Sequence, residues 1–95
     1  MDRKDAYQAK LQAQLDEWKA DIAKLRAKAE KAQAEARLKY MEEVDDLRAQ
    51  QKKAEARLEA LQNAQGEAWK DLKSGVEAAW DEMGDAMKRA WGRFS

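Results

Sequence analysis

The stretch Leu58-Glu59-Ala60-Leu61-Gln62-Asn63-Ala64-Gln65-Gly66-Glu67-Ala68-Trp69-Lys70-Asp71-Leu72 decides how this chain folds. Read for its breakers, it bends at residues 63–66, because Asn and Gly are the residues that accept a left-handed backbone at a helix end. Read for its period, it does not bend. Leu58, Leu61, Gln65, Trp69 and Leu72 keep a three-or-four-residue step straight through Gly66, whereas a loop would be free to lose that phase. One glycine inside a helix costs only about 1 kcal/mol relative to alanine, so the phase puts a continuous helix ahead of a hairpin bent at residues 63–66. Ser74-Gly75-Val76-Glu77 has capping-box spacing and is a second place where a new helix could begin.

Outward from that stretch the same pattern covers nearly the whole chain. The stripe runs Tyr7, Leu11, Leu15, Trp18, Ile22, Leu25, Ala29, Ala32, Ala36, Tyr40, Val44, Leu47, Gln51, Ala54, Leu58, Leu61, Gln65, Trp69, Leu72, Val76, Trp80, Met83, Met87, Trp91, Phe94, with no proline anywhere. It takes 24 steps to cross the 87 residues from Tyr7 to Phe94, a mean near 3.6. That lies beside the straight-helix period, between a left-handed heptad seam and an eleven-residue one. Leu15 to Leu25 reads locally as heptad, and Ala36, Tyr40 and Val44 form a stutter. The last third repeats every eleven residues: Ala68-Trp69, Ala79-Trp80 and Ala90-Trp91, each followed three residues later by Leu72, Met83 and Phe94. Eleven residues make about three whole turns, so the three indoles fall nearly in line. Asp5, with Gln8 three residues on, is the expected start of the first helix, and Asp2 is the alternative.

Composition agrees with an all-α chain. Of 95 residues, 40% are charged, and the mean hydropathy is −1.01. Ala, Glu, Lys, Arg, Leu and Gln, the strongest helix formers, supply most of the sequence. Four Trp, two Tyr and one Phe set in phase with the stripe argue against a disordered tail. The 19 basic and 19 acidic residues cancel, which is no footprint for nucleic acid. There is no cysteine and hence no disulfide framework. The opening Met1-Asp2-Arg3-Lys4-Asp5 has no apolar run behind it, so no secretory leader and no membrane span are expected, and the default compartment is the cytoplasm.

With so much charge, one copy is not expected to build a compact core. In the hairpin reading an arm over residues 67–94 is about 42 Å long and reaches only the Tyr40 to Leu61 half of an arm about 90 Å long. Leu11 to Leu25 would stay bare, and both readings require a second chain. Like-charged i, i+4 neighbours such as Glu17 and Asp21, Lys24 and Lys28, and Arg89 and Arg93 cost an isolated helix a few tenths of a kcal/mol each and invite opposite charge across a seam. The expected architecture is therefore a long, nearly straight amphipathic helix, continuous or bent, assembling as an antiparallel coiled coil or helical bundle. Residues 1–62 form the charged helix, 63–66 the possible bend and 67–95 the Trp-rich helix. The expected oligomer seam is Leu11, Leu15, Trp18, Ile22, Leu25, Tyr40, Val44, Leu47, Leu58, Leu61, Trp69, Leu72, Val76, Trp80, Met83, Met87 and Trp91. Antiparallel pairing is expected because parallel pairing in register would stack indole on indole. Ala29, Ala32 and Ala36 thin the middle of the seam into a close-packed crossing or a weak spot.

Catalytic chemistry has little to work with. Histidine and cysteine are absent, no glycine-rich phosphate loop is present, and no nucleophile has a base beside it. Glu42, Glu43, Asp45 and Asp46 are the densest acidic cluster, but helical two-metal sites add a Glu-x-x-His motif. The cluster reads as a solvated face, with no metal, cofactor or catalytic residue expected. The functional expectation is a non-enzymatic homo-oligomeric scaffold or interaction module whose partner is itself. The alternative is an amphipathic membrane-surface or client-binding helix using Trp69, Trp80 and Trp91, since eleven-residue repeats and Trp suit lipid interfaces. The run Ala68-Trp69-Lys70-Asp71-Leu72-Lys73-Ser74-Gly75-Val76-Glu77-Ala78-Ala79-Trp80-Asp81-Glu82-Met83 resembles the C-terminal part of short bacterial coiled-coil proteins of unknown function. Lys10-Leu11-Gln12-Ala13-Gln14-Leu15-Asp16-Glu17-Trp18 is similar to their opening. The resemblance implies a small bacterial helical protein and brings no activity or site.

Overall fold

The helix-forming residues carry three helices in the computed structural model, which describes residues 3–94: α1 (Arg3–Lys31), α2 (Ala34–Asn63) and α3 (Glu67–Phe94). No strand occurs among the described residues. Lys19 pairs with Glu55, and Gln12 shares a groove with Gln62, so α2 runs back along α1. Tyr40 lies against Phe94 and Arg57 against Gly75, so α3 runs back along α2. The result is an up-down-up bundle of 51 × 21 × 18 Å in which α1 and α3 are parallel.

The turn at residues 64–66 corrects the continuous helix that the unbroken phase put first: α2 ends at Asn63 and α3 begins at Glu67, as the breakers Asn63 and Gly66 allow. Leu61 and Ala64 make the last backbone bond of α2, with the Ala64 N–H donating to the Leu61 carbonyl at 3.2 Å, and Gly66 takes φ +59° before α3 begins. Ser74 and Gly75 make no break. α3 runs through them, and the Ser74 hydroxyl donates to the Asp71 carbonyl at 3.2 Å. Asp5 sits in the first turn of α1 rather than before it, and Asp2 lies outside the described residues.

The other turn corrects the expected helix over residues 1–62. The chain leaves α1 after Lys31 and enters α2 at Ala34. Gln33 holds φ −63° and ψ 153°, with no side-chain cap. The Arg37 guanidinium donates to the Ala32 carbonyl at 3.3 Å, and the Arg37 N–H closes the first turn of α2 on Gln33 at 2.8 Å. Nothing in Ala32-Gln33 disfavours helix, so the break is imposed by tertiary burial. Leaving a helix forfeits a few backbone bonds worth about 1 kcal/mol each net. Folding back buries several large side chains worth roughly 1.5–3 kcal/mol each. Small residues at Ala29, Ala32 and Ala36 leave room for the reversal.

The same fold corrects the expectation that one chain cannot make a core. Leu15, Ile22, Leu25, Val44, Leu58, Leu61, Val76 and Met83 are each at most 2% exposed in a single chain. Because α1 folds back too, α3 lies beside α1 and covers Leu11, Leu15, Trp18, Ile22 and Leu25, all buried.

Candidate functional site

Three features of the bundle have enough chemistry to meet a ligand or partner: an aromatic ladder between α1 and α3, a charged groove between α2 and α3, and the projecting start of α2.

The ladder follows from two matching repeats. Trp69, Trp80 and Trp91 recur every eleven residues on α3, and Tyr7, Trp18 and Ala29 recur every eleven residues on α1. Parallel packing sets the two in register. Tyr7 meets Trp69 edge-on, with ring centroids 5.8 Å apart and planes at 64°. Trp18 meets Trp80 at 5.8 Å and 50°. Parallel packing of α1 and α3 within the chain thus sets indole against indole. The tilt brings ring edge toward ring face, the geometry the aromatic quadrupole favours. Trp18 also reaches toward Gly84, where a methyl group would lie 3.8 Å from its ring. At the third rung small Ala29 leaves Trp91 half-buried, and the Lys28 ammonium lies 5.2 Å from its centroid.

At the opposite end of the ladder cations cover the rings. The Lys4 ammonium lies 5.2 Å from the Trp69 centroid, and Lys73 stands between the Tyr7 and Trp69 rings, at 5.1 and 5.7 Å. The Tyr7 hydroxyl donates to Glu77 at 3.1 Å. Burial, with the Glu77 bond and charge added, pushes its pKa up to about 12. The indole N–H groups of Trp69 and Trp80 are buried without an acceptor.

The charged groove, about 250 Å³, is lined by Glu43, Asp46, Leu47 and Gln50 of α2 and Ala86, Arg89, Ala90 and Arg93 of α3. Arg93 pairs with Glu43. Of the acidic cluster, Glu42, Asp45 and Asp46 are exposed and only Glu43 turns partly inward. No group of three or more carboxylates among the described residues is arranged to hold a metal ion. On the α1 and α2 side, the Lys19 bond holds the Glu55 carboxyl below its ordinary pKa, and Glu55 raises that of Lys19.

The start of α2 projects past its neighbours. Tyr40 is level with Phe94, the last residue of α3, and Lys28 near the end of α1 is level with Trp91. The turns before Tyr40 therefore extend beyond both. Gln33, Ala34, Glu35, Arg37, Leu38 and Lys39 are all exposed, Leu38 at 73%.

Of the seventeen expected seam residues, fourteen are buried within the single chain, Tyr40 and Trp91 are half-buried, and Leu72 is 38% exposed. The structure thus gathers all of them but Leu72 into one intramolecular core. Ala79, Ala86 and Ala90 are buried beside them and lay off the stripe. The signal for Ala79 and Ala90 was their eleven-residue spacing, each next to a Trp, whereas nothing of the kind marked Ala86. No protein-family model matches this chain, and neither does any curated protein or solved structure.

Proposed function

We propose that the chain is a non-enzymatic helical interaction module: a self-contained three-helix strut that meets protein partners through its charged exterior. The observation that carries this reading is the inward turn of the aromatic face. Trp18, Trp69 and Trp80 are each 8–9% exposed and occupied with one another or with Tyr7. A helix that lies on lipid needs that face free. Moreover, no helix among the described residues is long and apolar enough to cross a membrane. With histidine and cysteine absent from the sequence, recognition through patterned charge is the chemistry best supplied. The likeness to short bacterial helical proteins belongs to this reading and adds no activity to it. Vesicle titration tests it. Tryptophan emission is expected to be blue-shifted already in buffer and unmoved by neutral or anionic vesicles, with the protein staying at the bottom in flotation. Flotation together with a further blue shift would favour the membrane-surface reading instead.

A further inference from the structure

The couples that join α1 to α2 share a symmetry. Lys19 pairs with Glu55, and Gln12 lines one groove with Glu59 and Gln62, an antiparallel arrangement whose dyad falls in the first turn of α2. Followed toward the turn, α2 reaches past the end of α1 at Lys31, and an α1 continued straight would lie antiparallel beside these first turns of α2. The projecting turns of α2 are exposed in the single chain, and the same turns of a second copy match them across that dyad. We propose that the Ala32-Gln33 turn is a hinge, and that two copies exchange α1 through it to form an antiparallel dimer centred on the first turn of α2.

The hinge is built for straightening. Gln33 already has a helical φ of −63°, and only its ψ, at 153°, is extended. Ala and Gln are good helix formers, the turn uses no positive φ, and Gln33 makes no side-chain cap bond. The apolar phase through Leu25, Ala29, Ala32, Ala36 and Tyr40 runs unbroken across it. Straightened, residues 3–63 become one helix about 90 Å long. Two such helices, antiparallel in the existing register, recreate each α1 and α2 contact between copies and cover the projecting turns with each other, the exchange of identical elements that makes domain swapping cheap. The small side chains of Ala32, Ala34 and Ala36 at the centre permit close approach. Arg37 opposes opening twice. In the closed chain its guanidinium holds the Ala32 carbonyl, and helical spacing from Leu58 and Glu55 places it on the α1-facing side, where it would meet the partner's Arg37 across the dyad. The closed monomer is therefore the dilute state, and the dimer forms when unfolded chains are concentrated.

Refolding from denaturant at about 1 mM and at about 1 μM, followed by sedimentation equilibrium, tests this. The concentrated sample is expected to contain a slowly dissociating species of twice the 10.9 kDa chain mass with unchanged helicity. In that species, spin labels at position 38 of the two copies lie within about 25 Å and labels at position 8 about 87 Å apart. Gln33→Pro suits the closed φ and breaks a continuous helix, so it should abolish the dimer. Gln33→Ala and Arg37→Ala should each raise the dimer yield severalfold. A wild-type chain that refolds only as monomer at millimolar concentration overturns the proposal, as does a dimer that is indifferent to Gln33→Ala and Arg37→Ala or has distant labels at position 38. These outcomes leave the vesicle result, and with it the functional reading, untouched.

Discussion

Gly66 and Gly84 show how one residue type serves opposite purposes. Gly66 needs its missing side chain for backbone reasons alone: φ is +59° and an added Cβ meets nothing within 4 Å. Gly66→Ala should destabilise the fold by about 1 kcal/mol, the left-handed penalty for an L-residue, read as a lower denaturant midpoint with an unchanged slope. Gly84 sits inside α3, where a Cβ would make an ordinary 3.8 Å contact with Trp18. Gly84→Ala should stabilise by about 0.5–1 kcal/mol, because alanine is the better helix former. Tyr7 carries a pH signature. Its pKa is raised to about 12, so the folded state favours the neutral phenol. The stability this contributes is complete below pH 10, is lost as pH rises toward 12, and should be missing from the alkaline denaturation profile of Tyr7→Phe. Lys28 stands off the stripe, yet it covers Trp91. Lys28→Asp should therefore cost about 0.5–1 kcal/mol, the worth of an exposed cation–π contact.

The helices themselves were legible, and so were most of their inward positions, because burial on a helix prints a 3.6-residue period whether the partner is another copy or the same chain. That equivalence is also why the seam was expected between copies. Period reports that a face is covered and says nothing about what covers it. The turn at residues 63–66 had Asn63 and Gly66 to mark it. The turn at Ala32-Gln33 had no such mark, since both residues favour helix and its cause lies in contacts more than forty residues away in sequence. One clue was present and is long-range: Tyr7, Trp18 and Ala29 repeat the spacing of Trp69, Trp80 and Trp91, which specifies parallel neighbours. The aromatic ladder these make should dominate the stability of α1 on α3. Trp80→Ala is expected to cost about 3–5 kcal/mol, and Ile22→Asp on the order of several kcal/mol, because a carboxylate would be buried without a partner. Thermal melts of both variants check this.

For the whole molecule, the decisive property is that one chain supplies its own core. Dilute protein should sediment with the mass of one 10.9 kDa chain, and its melting temperature should not change with concentration in the micromolar range, because folding there is not linked to assembly. The same holds for dilute Ile22→Asp: its melting temperature falls but stays independent of concentration. The central claim is that α1 returns to lie parallel beside α3, and an intramolecular distance tests it most directly. Ala9 and Asp71 are exposed and stand at the same offset as Tyr7 and Trp69. Spin labels at these two positions of one chain, diluted into excess unlabelled protein at micromolar concentration, should give a pulsed dipolar distance under about 25 Å, as neighbouring helices about 10 Å apart allow. A distance near 93 Å, the span of 62 residues of uninterrupted helix, would contradict the account, and so would the almost equally long distance left by a single bend at residues 63–66.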